Sequence, residues 1–345
     1  MFGSFLPLGI VFMSDVSFKA LRVESTEDGK FTQKIVDRQI SELPENDLLV
    51  AVQYSSLNFK DALSAAGKPG VTRNYPHTPG IDAAGVVIED KSGTFKAGDE
   101  VIVSGYDLGM NTSGGFAQRI RVPAEWAIAL PAGLSLKETM CIGTAGFTAA
   151  LCVGKLLRMG AKPEDGTVIV TGATGGVGSF SVSILSKLGF EVAALTGKPE
   201  SSDLLKALGA KQIVARAELE EASKKPMLAP QWAHAVDCVG GEILSNILKT
   251  LQYGGSAAIC GLTASVNFSA TVLPFILRNI NLLGVDCVEL PLAKKRDNWQ
   301  ALATDFKLAD IEGMAEEITL EQAPDYLARV LNGQAVGRYV VKLPE

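Results

Sequence analysis

Residues 167–189, TVIVTGATGGVGSFSVSILSKLG, decide how this chain is read. An apolar run rich in β-branched residues gives way to small residues and then to an apolar, helix-compatible run, the order of strand, tight turn and helix. Aligned on G-x-G-x-x-G, the three positions are Ala173, Gly175 and Gly178, with Gly172 and Gly176 adding backbone freedom. A turn of this kind lets backbone N–H groups approach a pyrophosphate with no Cβ in the way, and it starts a helix whose positive end faces the anion. Thr174, Gly175, Gly176, Val177 and Gly178 are therefore candidate contacts to a dinucleotide. A plain tight turn is the competing account, and the surrounding strand–helix alternation favours the dinucleotide.

That alternation extends over residues 167–287. After the fingerprint come the strand EVAALTG (191–197), a helix at LLKAL (204–208), the strand QIVAR (212–216), the strand AVDCVG (235–240), a helix at ILSNILKTL (243–251), SAAICGL (256–262) and NLLGVDC (281–287). Strands alternating with helices at this spacing predict a doubly wound parallel sheet covered on both faces. The second strand, where an NAD site places an acid for the ribose 2′-OH, ends in Thr196, Gly197 and Lys198. A cation stands where the carboxylate is missing, so a 2′-phosphate is welcome and NADPH is favoured over NADH. Arg216 offers a second cation, and a solvated surface lysine is the bland reading of Lys198.

Upstream, residues 16–130 carry short apolar or alternating runs between turn signals: FKALRV, LLVAVQYSS, AAGVVIE, DEVIVSGY, FAQRIRV and WAIALP. They predict an irregular, largely antiparallel β domain. Residues 138–159 form a long apolar helix crossing from this domain into the next. The last strand, GRYVVKL (337–343), matches the β-rich half, so the chain is expected to return there. The expected division is a β domain over 13–138 joined by 288–345, and a dinucleotide-binding domain over 139–287. Residues 1–12 lack the basic start and cleavage site of a secretory signal and are too short to span a bilayer, so they read as an extension ahead of Met13.

The chain's 345 residues carry 47% hydrophobic and 20% charged side chains with a net charge of −6, which describes a globular protein with no basic surplus for nucleic acid. Five cysteines at 141, 152, 238, 260 and 287 form no C-x-x-C pair, and only His77 and His234 supply imidazole. No disulfide framework or structural zinc knuckle is expected, and a cytoplasmic setting without a membrane partner fits.

Together, SSLNFKDAL (55–63), YPHTPGIDAAG (75–85), GTAGFTAALCV (143–153), TGATGGVG (171–178), TGKPESSDLLKALGA (196–210) and TVLPFILRNINLLGVD (271–286) resemble the medium-chain dehydrogenase/reductase superfamily. The resemblance covers nearly all of the chain from Met13. It is to the zinc-independent, quinone-oxidoreductase-like subgroup that includes acrylyl-CoA reductase (NADPH), and it implies a GroES-like β domain, a Rossmann domain and a homodimer. Two positions depart from the subgroup's pattern: Phe59 stands for its usual Tyr, and Lys198 for its usual Arg. The positions matching catalytic zinc ligands elsewhere in the superfamily are Asn58, Ile81 and Thr144, which form no plausible ligand set.

Hydride transfer without metal needs a carbon made electrophilic by conjugation, such as an α,β-unsaturated thioester or ketone, or a quinone. Charge then develops on oxygen and a proton must follow. Asn58 is a candidate donor to that oxygen, and Lys60 or Asp61 a candidate to orient or relay the proton. A helix cap is the equal alternative for Asn58 and Asp61. The resemblance further places Phe59, Thr144, Thr148, Leu262, Ile276, Cys287 and the turn Asn332-Gly333 at the cofactor, with Cys287 on a strand. For an acyl-CoA, Lys68, Arg73, Arg278 and the run Lys294-Lys295-Arg296 are candidate rim cations. The expected activity is NADPH-dependent reduction of acrylyl-CoA to propionyl-CoA. Quinone or enone reduction is the alternative, and a non-catalytic NADPH-binding protein is a third reading.

Overall fold

The computed structural model describes residues 16–221 and 223–344. The extension expected over residues 1–12 lies outside them. The chain opens with an antiparallel ribbon of β1 (Ser17–Ser25) and β2 (Phe31–Gln39). The sequence reading missed β2. Its sequence, FTQKIVDRQ, places charge or amide on both faces, and none of its residues is buried.

Next come β3 (Leu48–Ser56), the short helix α1 (Phe59–Ala65), β4 (Asp82–Asp90), β5 (Glu100–Ser104), β6 (Arg119–Val122) and β7 (Ala127–Ala129). These strands pair antiparallel, as the alternation predicts. Val50, Val52, Val87, Val101 and Val103 point into one core with Phe116 and Ile120.

The helix α2 (Leu136–Arg158) leads into the second lobe. Ser135 caps it: its Oγ accepts from Glu138 N at 3.0 Å, and Glu138 Oε2 accepts from Ser135 N at 2.8 Å. By length and composition α2 is long and apolar enough to cross a bilayer, yet 78% of its most apolar window is buried within the protein. Phe147 from its middle meets Trp299 with ring centroids 5.5 Å apart. At Gly143 (φ 50°, ψ −165°) the helix breaks.

The second lobe runs β8 (Val168–Thr171), α3 (Gly176–Lys187), β9 (Val192–Thr196), α4 (Ser202–Ala207), β10 (Gln212–Ala215), α5 (Ala217–Glu220), β11 (Trp232–Asp237), α6 (Gly241–Thr250), β12 (Leu251–Ile259), α7 (Leu273–Arg278) and β13 (Asn281–Gly284). Its six strands are parallel and ordered β10-β9-β8-β11-β12-β13. The order reverses between β8 and β11, which opens a crevice beyond the carboxyl ends of those strands. One expectation needs correction here. Cys287 lies in a bend rather than on a strand, because β13 ends at Gly284 opposite Ile259, the last residue of β12, and no ladder partner remains beyond it.

The chain then returns through α8 (Leu292–Ala303), β14 (Ala315–Thr319), α9 (Ala323–Leu331) and β15 (Arg338–Lys342). β15 pairs antiparallel with β3 and parallel with β14, giving a seven-stranded sheet in which β15 lies beside the β3 end that leads into α1.

Candidate active site

The fingerprint turn caps β8 at the switch point. Gly172 (φ +57°) makes the left-handed bend one residue before Ala173, so the alanine at the first glycine position costs the turn nothing. Gly175 N donates to Gly172 O at 2.9 Å and Gly175 is the N-cap of α3. A Cβ on Gly178 would sit 2.3 Å from Gly172 O, and one on Gly176 2.9 Å from Ala145 Cβ and from Arg338 Cδ. Beneath the turn, buried Asp237 ties β8 to β11: Thr171 Oγ1 donates to its Oδ1 at 2.8 Å and Gly240 N to its Oδ2 at 2.8 Å. Burial pushes Asp237 up to about 6. Leu262 lies exposed just past β12, beside Gly240 at the mouth of the crevice.

At the end of β9, Thr196 Oγ1 accepts from Lys198 N at 3.0 Å. Lys198 Nζ donates to Ala335 O at 2.6 Å, and burial holds its pKa below the usual lysine value. The Arg216 guanidinium lies across Gly197, where a Cβ would be 2.9 Å from its Cζ, and it pairs with Glu220 at 2.7 Å. Two cations thus flank Gly197. The segment after Asn332 and Gly333 closes over this region: Ala335 meets Lys198, and Gly337 N donates to Thr174 O at 2.9 Å. These features fit a dinucleotide phosphorylated at the ribose: small residues where a Cβ would intrude, the amino end of α3, and two cations at the ribose end.

On the other wall, Asn58 caps α1. Asn58 N donates to Asp61 Oδ2 at 2.8 Å, while Asp61 Oδ1 accepts from Gly80 N at 3.1 Å and Ile81 N at 2.9 Å. Asp61 is fully buried, and burial together with the neighbouring Asp82 pushes it up to about 7. With three backbone donors enclosing it, Asp61 has no face toward the cleft. It fastens the loop before β4 to α1, and the proton-relay expectation is corrected. The Asn58 amide is also engaged: Nδ2 donates to Asp82 Oδ2 at 2.8 Å and Ser56 O at 3.3 Å, and Oδ1 accepts from Arg338 Nη1 at 3.1 Å. It is a member of a network rather than a free donor to a substrate oxygen.

The rest of that network reaches Thr144, whose N–H and Oγ1 donate to Asp82 at 2.8 and 2.6 Å. Thr148 Oγ1 donates to Thr144 O at 2.7 Å. Cys287 lies near Thr148; burial pushes its thiol up, and Thr148 and the Lys60 ammonium pull it back. Lys60 is half-buried, its Nζ 3.9 Å from Met110 Sδ, and among the described residues it makes no ion pair. Phe59 beside it is 37% exposed. Thr148 thus lies between Thr144 and Cys287, and the Lys60 ammonium is near enough to Cys287 to be felt by its thiol.

Three expected contacts fall elsewhere. Ile276 is on the exposed side of α7, and Arg278, two residues on, donates to the carbonyls of Lys249, Leu251 and Leu228. Those carbonyls mark the amino ends of β11 and β12, the end of the sheet opposite the fingerprint turn, so neither Ile276 nor Arg278 faces the crevice. Lys295 is fully buried: its Nζ donates to Ser104 O at 2.8 Å and lies 3.4 Å over the Tyr106 ring. Lys68 and Arg73 are exposed, and Arg73 N donates to Asn111 Oδ1 at 3.2 Å.

Sequence reasoning missed Arg338 and Asp82, and it placed Lys295 on the rim rather than in the interior. The first two did carry a signal, since each is an isolated charge inside an apolar run, IDAAG and RYVV, and a charge in such a place is buried only with a partner.

Comparisons with known proteins agree with this geometry. Residues 44–132 match the alcohol dehydrogenase GroES-like domain and residues 176–307 the zinc-binding dehydrogenase domain. The chain belongs to the medium-chain dehydrogenases/reductases, in their quinone-oxidoreductase-like family. It is 44% identical to the acrylyl-CoA reductase AcuI of Ruegeria pomeroyi, over 94% of this chain and 98% of that one. It is 42% identical to the "Putative quinone oxidoreductase YhfP" of Bacillus subtilis, over 94% and 99%, and the structure of yhfP with NAD bound superposes with a TM-score of 0.92. The yhdH oxidoreductase of Salmonella enterica in complex with NADP is 44% identical over 94% of this chain and all of that one, with a TM-score of 0.92. Despite the domain's description, the zinc-matching positions do not fit zinc: Asn58 and Thr144 spend their polar groups on Asp82, and Ile81 has none.

Proposed function

We propose that this protein is an oxidoreductase that reduces the activated C=C bond of a short 2-enoyl thioester with NADPH, converting acrylyl-CoA to propionyl-CoA. The observation that carries the reading is an ammonium with no carboxylate partner among the described residues, Lys60, near Cys287, Thr148 and Thr144, together with a dinucleotide turn that has two cations at its ribose end. When bound, NADPH supplies a hydride. Thr174, Gly175, Gly176, Val177 and Gly178 bind the pyrophosphate, and Lys198 with Arg216 binds the 2′-phosphate. Lys60 Nζ stabilises the charge that appears on the thioester oxygen and holds the proton that follows. Asn58 and Asp61 fix the loop that carries Lys60.

The test is steady-state oxidation of NADPH with acrylyl-CoA against simple quinones and enones. A kcat/KM for acrylyl-CoA at least tenfold higher supports the thioester, and equal or better reduction of quinones overturns it. The quinone reading draws on the Bacillus subtilis relative's name. NADPH binding with no oxidation by any of these acceptors identifies a non-catalytic protein instead.

The proposal extends to a cytoplasmic homodimer with no nucleic-acid or membrane partner. In support, the five cysteines are unpaired, β13 is an edge strand, and the connection leading into it exposes Val266, Val272, Ile276 and Leu277.

A further inference from the structure

We propose that Arg338 is a positioning residue that holds the Lys60 loop and the Thr144 wall in register with the cofactor turn; the proposal rests on the hydride-transfer reading above. Arg338, the first residue of β15, is buried at 4% exposure. Its Nη2 donates to Ser56 Oγ at 2.8 Å, its Nη1 to Leu57 O at 2.9 Å and Asn58 Oδ1 at 3.1 Å, and its Nε to Cys141 O at 3.3 Å. Asp82 lies one bond further on. Ser56 Oγ donates to Asp82 Oδ2 at 2.7 Å and Asn58 Nδ2 to the same oxygen at 2.8 Å, so two side chains bridge the guanidinium to the carboxylate.

The purpose of this pair is visible at the break in α2. The non-helical Gly143 frees a carbonyl and an N–H from the helix, and a buried backbone group must find another partner. Arg338 takes the carbonyl of Cys141, and Asp82 takes the N–H of Thr144. No side chain fits at the break, since a Cβ on Gly143 would lie 2.3 Å from Arg338 Nη2 and 2.5 Å from Ser56 Oγ. On its other side the Arg338 stem packs against Gly176 of the fingerprint, while Gly337 N holds Thr174 O. One dipeptide, 337–338, therefore touches the pyrophosphate turn, the α2 break and the loop before α1. The reacting groups come from both lobes, and a displacement of about 1 Å between them costs on the order of 100-fold in rate.

The experiment compares wild type with R338M, which keeps the stem and removes every donor, and with R338K. In protein without cofactor, amide hydrogen exchange should quicken in residues 56–61 and 141–146 of R338M and stay unchanged in β10 to β12. The kcat should fall about 10- to 100-fold with a larger primary isotope effect from NADPH deuterated at the transferred position, and R338K should recover only part of it. A role in stability alone lowers the fraction of folded protein and leaves the isotope effect and kcat per folded site unmoved; that result, or exchange that quickens evenly, overturns the proposal. If R338M does not fold, S56A, which removes the hydroxyl bridging Arg338 Nη2 to Asp82 Oδ2, is read by the same measures and the same criteria. Should wild type turn over none of the acceptors, the functional reading fails while hydrogen exchange still decides the task of Arg338.

Discussion

Lys295 makes a direct test of how the two lobes are joined. Burial pulls its pKa from 10.5 down to about 8, against the opposing pull of Cys287, Glu289, Asp286 and Asp82. That gap corresponds to roughly 3 kcal/mol of cost for keeping the ammonium charged in the folded protein at neutral pH. The replacement is methionine, of similar length and volume. K295M relieves this cost, but it orphans Ser104 O, worth about 1–3 kcal/mol, and strips the cation from the Tyr106 ring, worth about 2 kcal/mol. The losses and the relief nearly cancel at pH 7, so stability at one pH decides nothing; the slope does. Between pH 8 and 10.5 the unfolded chain keeps the Lys295 proton and the folded chain has released it, so raising the pH favours folding by ~1.4 kcal/mol per unit. Denaturant unfolding of both proteins from pH 7 to 10.5 should show wild type gaining about 3 kcal/mol relative to K295M, while the cysteines and tyrosines common to both cancel in the difference. A difference that stays flat across this range refutes the reasoning, since it means the buried amine is no worse solvated than a free one.

Three further outcomes are expected. K198A should weaken NADPH binding about 10- to 100-fold, the loss of one charge-assisted hydrogen bond, and leave NADH binding unchanged in a fluorescence titration; an equal loss for both coenzymes would remove Lys198 from the 2′-phosphate site. K60Q should lower kcat/KM for the enoyl thioester about 100- to 1000-fold, as removal of a single oxyanion stabiliser does elsewhere, whereas activity within threefold of wild type dismisses it. D61N should destabilise the protein by about 1–3 kcal/mol by setting an amide N–H against the backbone donors of Asn58, Gly80 and Ile81, with the rate per folded site kept within tenfold. A drop in rate without a drop in melting temperature would restore Asp61 as a proton relay.

How much of this was legible in the sequence depends on the range of each interaction. The fingerprint turn and the six-stranded sheet could be read because strand, turn and helix signals are local and each agrees with its neighbour. The ribbon strand β2 and the edge strand β14 could not, since AEEIT and FTQKIVDRQ bury too little on either face to alternate. Asp82 and Arg338 are 256 positions apart, and nothing local to either names the other. Ile276 and Arg278 were misplaced for a related reason: the sequence shows the crossover from β12 to β13 but not which end of the sheet it passes. Lys295 reads as part of a solvated run, and only the packing of α8 against Ser104 and Tyr106 reveals it as an inward charge.

The position of β15 also bears on biogenesis. Both walls of the cleft are synthesised long before the dipeptide that clasps them, so a nascent chain emerging from the ribosome carries an unclosed sheet edge at β3 and a helix break with two unsatisfied groups. The dinucleotide turn, Lys198 and Arg216 are all made before the dipeptide that fixes them against the other wall. Fragments that stop short of Gly337 should consequently be substrates for chaperones and proteases rather than partial enzymes, and a tag fused behind Lys342 lengthens the interval during which that seam stays open.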